Sequence, residues 1–388
     1  MTSIDPGADP ASAPVPTTRP DTTSRDVPAG TGAAGRSRRP ESLVQFLRSL
    51  RGWQFEVASR AAVAVAVPLA LLAAVDRLDW AAYAAFGAMT SLYGRNESYR
   101  QRMRTVSAAG LLMLSIIAFA LTLASLNAPL PALAGGLVLV LIGSILLART
   151  LGLFPGTPIF FVFGYAVVAE IAVPAGEFGP RLLVAVAGAS VAWLLTMSGW
   201  LLRRVSGRRE PAMFKSLRPA APVHSWAVAD PQVWLNVAQN VVGALLAGAI
   251  ALSFGFGHAY WAVVAVVAVL PPPHAAHSVS RAFHRIIGTV LGVGVAGLVL
   301  LPGPPVWVLI VVIAISQFGA ELFIGRHYGA ALLFVTPLAL TVVHLVSPEP
   351  VSALLVDRVL ETTLGGVVAL GIVLLVQAVQ RRRRLQPA

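Results

Sequence analysis

The sequence predicts an all-α integral membrane protein of about twelve transmembrane helices, arranged as two parallel six-helix repeats. Three observations predict it. The 388 residues are 56% hydrophobic and 12% charged, with mean hydropathy +0.76; soluble domains carry about twice that charged fraction. Apolar runs recur along the chain, most near the roughly 20 residues that cross a bilayer. Positive charge alternates between successive loops, as the positive-inside rule requires.

Residues 1–40 are rich in Pro, Ala, Thr, Ser and Gly and hold no apolar run, so they read as a disordered cytoplasmic tail. They also lack the hydrophobic core of a cleavable signal peptide. In 41–57, Leu43, Phe46, Leu47, Leu50 and Trp53 recur at helical spacing opposite Arg48 and Arg51. This pattern predicts an amphipathic helix on the membrane surface, with extension of the first membrane helix as the other reading.

The first repeat, 58–205, offers spans at 58–76, 79–93, 105–125, 130–149, 153–173 and 181–203. A basic linker, 206–232, follows. The second repeat, 233–380, offers 234–254, 258–272, 285–302, 305–324, 328–346 and 357–380. A basic tail, 381–388, closes the chain. With the amino terminus inside, only Arg77, Arg181 and Arg358 of 29 Lys/Arg fall on the outer side. The predicted topology therefore has both termini cytoplasmic, in an inner (plasma) membrane.

Net charge +12 and pI about 11.3 are thus accounted for by topology. No nucleic-acid partner is expected, because no binding module accompanies the basic residues. The partners expected are the lipid bilayer and a small organic anion; a homo-oligomer is compatible with the pattern. No cofactor and no metal are predicted. The chain has no cysteine, and its single lysine, Lys215, follows Phe214, so no glycine-rich phosphate loop precedes it. No His-Glu-x-x-His occurs either, and His274 and His277 are expected in water at the inner side. No enzyme activity is expected.

Sliding the sequence by 181 residues places Trp80 on Trp261, Arg100 on Arg281 and Arg104 on Arg285. Sliding by 177 places Arg181 on Arg358, Gly188 on Gly365 and Arg204 on Arg381. Six helices per copy return the chain to its starting side, so the copies would be parallel. Each arginine pair starts the third helix of its half, four residues apart and hence on one face. Small residues follow Arg285, including Gly288, Thr289 and Gly292, and would let a neighbouring helix approach closely. Arg100, Arg104, Arg281 and Arg285 could anchor helices to lipid phosphate. They could equally ring the inner mouth of a path between the halves and recruit anions.

The stretch Tyr260, Trp261, Pro271, Arg281, Arg285, Gly288, Thr289, Gly292 resembles the FUSC-like family, the fusaric acid resistance and aromatic acid exporter proteins. So does the late Arg358, Glu361, Thr362, Gly365. The first half matches less well, with Ser107-Ala108 in place of Gly-Thr. The resemblance implies a bacterial inner-membrane transporter domain, some relatives of which export aromatic or other organic acids, with plant malate channels as distant kin. Larger relatives carry a cytoplasmic domain where this chain has only the linker.

Gradient-driven transport needs a titratable group within the membrane, where such groups are rare. Glu321, Glu170 and Glu361 are the candidates, with Arg326 little more than a turn from Glu321. The short second spans of both halves, and prolines in the fifth (Pro155, Pro158) and eleventh (Pro337), point to the substrate path. Trp80, Trp261, Phe160, Phe161, Phe163 and Phe334 could line it; Phe160 and Phe163 share a helix face. The sequence alone leaves a passive anion channel and a non-transporting membrane scaffold as rivals of the exporter.

Overall fold

The computed structural model describes residues 52–95, 97–206, 225–272, 279–325, 327–346 and 349–385. Its described residues contain twelve α-helices and no strand: α1 Gly52–Ala74, α2 Ala81–Ala88, α3 Tyr99–Ser125, α4 Leu130–Thr150, α5 Ile159–Glu170, α6 Phe178–Ser206, α7 Pro231–Ser253, α8 Tyr260–Val269, α9 Val279–Leu300, α10 Val306–Phe323, α11 Tyr328–Val346 and α12 Val351–Leu385. Nine are long and apolar enough to cross a membrane. The exceptions are α2, α5 and α8. Tight 3-10 turns, Leu78–Trp80 and Met89–Leu92, flank α2.

Local chemistry sets several boundaries. The Asp230 side chain accepts from the backbone N–H of Gln232 at 2.9 Å and opens α7, with Pro231 in the first turn. Prolines at 158 and 305 precede α5 and α10. Gly152 and Gly303, with φ of 62° and 64°, occupy the left-handed conformation in the turns after α4 and α9. Pro155 and Pro158 keep 153–158 out of the helix expected from residue 153. Pro337, by contrast, lies inside α11 without ending it; membrane helices tolerate this where neighbours meet the freed carbonyl. Residues 52–57, assigned from sequence to a surface helix, form the first turns of α1, while 41–51 lie outside the described residues.

In the first half α2 packs on α6, and α3 on α5 and α6. In the second, α8 packs on α12, and α9 on α11 and α12. Small residues permit the approach. A Cβ on Gly188 would run into the Ala84 carbonyl, and one on Gly365 into the Ala262 carbonyl. A Cβ on Gly288 would meet the Gly329 carbonyl oxygen at 2.7 Å, so the small stripe of α9 is its seat on α11. Across the halves α1 packs on α10, α4 on α7, α5 on α8 and α2 on α11.

Candidate functional site: a cavity between the short helices

A cavity of about 850 Å³ is bounded by α2, α5, α8, α10 and α11. Its wall is mostly apolar, with Phe86, Phe160, Phe163, Tyr260, Trp261 and Leu332 prominent. Short helices make this space: they leave non-helical backbone at membrane depth, which is tolerated where it lines a cavity. Phe163 links two of them, edge-on to Phe86 with ring centroids 5.0 Å apart and tilted against Trp261, also at 5.0 Å.

Polar groups gather at the two ends of this wall. At one end, Arg95 forms an ion pair with Glu321, and Arg281 and Arg285 stand nearby on α9. Arg281 donates from Nε to the Ala268 carbonyl at 2.7 Å, its guanidinium 4.5 Å from the Tyr328 ring centroid. At the other end are Asp79, Glu170, Arg181, His258, Glu349 and Arg358. Arg181 donates to the Tyr83 hydroxyl at 3.0 Å and the Ala172 carbonyl at 2.7 Å, and pairs with Glu177 at 2.7 Å. Glu177 also accepts from Arg77 at 2.7 Å and from the Trp80 indole at 3.4 Å. Partial desolvation pushes the Glu177 carboxyl up; hydrogen bonds from Arg181, Trp80 and Arg77 outweigh it and hold the group below its ordinary value.

The expected site residues divide. Arg281, Arg285, Glu321, Glu170, Trp261, Phe160 and Phe163 line the cavity. Six do not. Arg100 and Arg104 are exposed on α3, whose inward residue is the buried Arg102 between them. Arg102 donates to the carbonyls of Gly94 and Glu97 at 3.1 and 3.3 Å, so the expected ring of four arginines is not formed. Trp80 lies under Arg77, its ring centroid 3.4 Å from the guanidinium, outside the cavity. Phe161 is fully buried on the opposite face of α5, stacked on Tyr93 at 5.6 Å. Phe334 stacks on Phe323 at 5.5 Å. Glu361 is fully buried behind the wall, accepting from the backbone N–H of His258 at 2.8 Å.

Asp357, Arg358 and Glu361 turn to separate partners. Asp357 meets His258 Nδ1 at 3.2 Å, and Arg358 lies 3.7 Å from the Trp261 ring centroid. Sequence reasoning missed Arg95 and Arg358 as cavity residues. Arg358 carried a signal, its place in the late Arg-x-x-Glu-Thr motif; Arg95 carried none. Arg326, His274 and His277 lie outside the described residues. Among the described residues no group of three or more His, Asp or Glu is placed to hold a metal ion.

Comparison with known proteins concerns the second half of the chain. Residues 246–372, which include α8 to α11 and the start of α12, match the family model described as fusaric acid resistance protein-like. The uncharacterized membrane protein YvaC of Bacillus subtilis (strain 168) is 36% identical over 92 residues, 24% of this chain and 15% of that protein. The uncharacterized protein slr1298 of Synechocystis sp. is 30% identical over 135 residues, 34% of this chain and 17% of that protein. The chain thus matches less than a fifth of the length of either relative. No solved structure matches at a comparable level. The chain is a multi-pass membrane protein whose second half, over residues 246–372, resembles the fusaric acid resistance protein-like family.

Proposed function

We propose that the chain is an inner-membrane secondary transporter that exports organic anions, aromatic acids among them. In this reading 58–205 and 233–380 are parallel repeats, both termini are cytoplasmic, and the Arg95–Arg281–Arg285 end is the inner mouth. One observation carries it: an apolar, aromatic-walled cavity with arginines at its inner end, built where short helices from both halves meet. Exchange of the halves also supports the repeat, because α2 on α11 answers α8 on α5, and α1 on α10 answers α7 on α4. Cations at a cavity mouth raise the local concentration of anions, and Glu170 and Glu321 on the wall supply protonatable carboxyls for coupling.

The test is uptake into inverted vesicles of a panel of labelled aromatic and aliphatic acids, with and without a proton gradient. Gradient-dependent accumulation, lost in Glu321→Gln or Glu170→Gln, is expected. Flux that ignores the gradient and both substitutions would make the chain a passive channel. No flux for any acid would leave a scaffold role.

A further inference from the structure

Four charged side chains stand at the end of the cavity assigned to the inner side: Arg95, Arg281, Arg285 and Glu321. Arg281 is tied within its own half, donating to the Ala268 carbonyl at 2.7 Å and facing the Tyr328 ring. Arg285 is buried on α9. Arg95 and Glu321 differ from both. They pair with each other from opposite halves, one in the loop after α2 and the other in the last turn of α10, 226 positions apart. The other ion pairs between described residues each stay within one half: Arg77 with Asp79 and Glu177, Arg181 with Glu177, and His258 with Glu349 and Asp357. All of these lie toward the other end. Among the described residues, then, ion pairing joins the two halves at the inner end alone.

The backbone that carries this pair is fixed on both sides. Arg95 Nε donates to the Leu92 carbonyl at 3.2 Å, and the buried Arg102 holds the carbonyls of Gly94 and Glu97. Gly94, at φ 73°, takes the left-handed turn between them. Opposite, α10 is seated on α11: a Cβ on Gly319 would run into the Phe334 ring, and Phe323 stacks on that ring at 5.5 Å. What can move is the two side chains. They are 17% and 6% exposed and both line the cavity, so the pair borders open space instead of lying in packed core. Long side chains there change rotamer without any helix being repacked.

We propose that Arg95 and Glu321 form the inner gate of the cavity: paired, as here, they bar it from the inner side, and parting of the pair opens it. This rests on the topology of the transport reading and supplies the control of access that such a reading requires. Leu92, Ala320 and Ile324 stand beside the pair on the wall, and a charge-assisted bond against apolar surroundings is a strong one. In the gate Glu321 acts through its partner, a task distinct from carrying a proton.

The test is labelling of Val335→Cys, on a half-buried position of α11 in the cavity wall, by a membrane-impermeant maleimide added to sealed inverted vesicles carrying the full chain. The chain holds no other thiol. With the pair intact the reagent reaches this thiol slowly from the inner face. Arg95→Gln or Glu321→Gln raises the labelling rate on the order of tenfold or more, measured against Gly325→Cys in the exposed loop after α10. Arg95→Glu combined with Glu321→Arg restores slow labelling, because the pair re-forms with its charges exchanged. Glu321→Gln leaves the bond from Arg95 to the Leu92 carbonyl in place, so it decides the matter if Arg95→Gln fails to fold. Equal rates with the pair intact and broken, or an exchanged pair that labels as fast as the single variants, overturn the proposal. The readout needs no flux: if the parent chain transports no acid while labelling follows this pattern, the transport reading falls and the gate stands. Gradient-driven flux through a chain whose thiol labels equally fast throughout does the reverse.

Discussion

Glu177 gathers three donors, from Arg77, Trp80 and Arg181, and joins the turn before α2 to the start of α6. Its carboxyl titrates below the ordinary value, so the unfolded chain takes up its proton first as pH falls. The stabilisation is fully present above the unfolded value of about 4.3 and is lost as pH drops through the lower folded value. Glu177→Gln should therefore lower the thermal midpoint of the detergent-purified protein at pH 7. The gap to the parent should narrow as the pH is taken below about 4. A gap that stays constant down to the lowest pH would mean that the charge on Glu177 contributes nothing. Part of this residue chemistry was legible in the sequence. Phe160 and Phe163 were placed on one face by spacing, and both line the cavity. Arg100 and Arg104 were also placed on one face by spacing, and that face points away from the cavity. Periodicity fixes which residues share a side of a helix; only tertiary packing decides which side turns inward. The Arg95–Glu321 pair, 226 positions apart, lay beyond any local pattern.

At the scale of elements, the close contacts of α6 on α2 and of α12 on α8 depend on glycine. A methyl at 188 or 365 would press into a carbonyl oxygen of the facing short helix, and rigid backbone is what would have to move. Gly188→Ala and Gly365→Ala should each cost on the order of 1–3 kcal/mol, the range of overpacking. Gly143→Ala, where a Cβ meets nothing within 4 Å, should be neutral or slightly stabilising, because alanine is the better helix former. Thermal unfolding of the three variants side by side checks this; equal effects at 143 and 365 would dismiss the contact argument. The number and order of helices were readable from apolar runs. The length of α5 was not, because the run from 153 to 173 is largely apolar, and Pro155 and Pro158 delay the helix to Ile159. The basic run at 381–385 continues α12 beyond the span expected to end at 380, since arginine is a good helix former.

For the whole molecule, the cross-loop ion pairs test the topology. Arg77 meets Glu177, and His258 approaches Glu349 at 3.5 Å, joining loops assigned to the outer side. Arg95 meets Glu321, joining an inner loop to the inner end of α10. No pairing in this set joins loops assigned to opposite sides. The absence of cysteine makes the assignment directly checkable, since each introduced thiol is the only one in the chain. Ala175 and Gly325 are both exposed in loops, the first between α5 and α6, the second between α10 and α11. A membrane-impermeant maleimide added to intact cells should label Ala175→Cys and spare Gly325→Cys, which should react only after permeabilisation. Labelling of both in intact cells, or the reverse pattern, would put the Arg95–Arg281–Arg285 end of the cavity outside. Those arginines would then face the medium and the proposed direction of transport would be lost, even with the cavity intact.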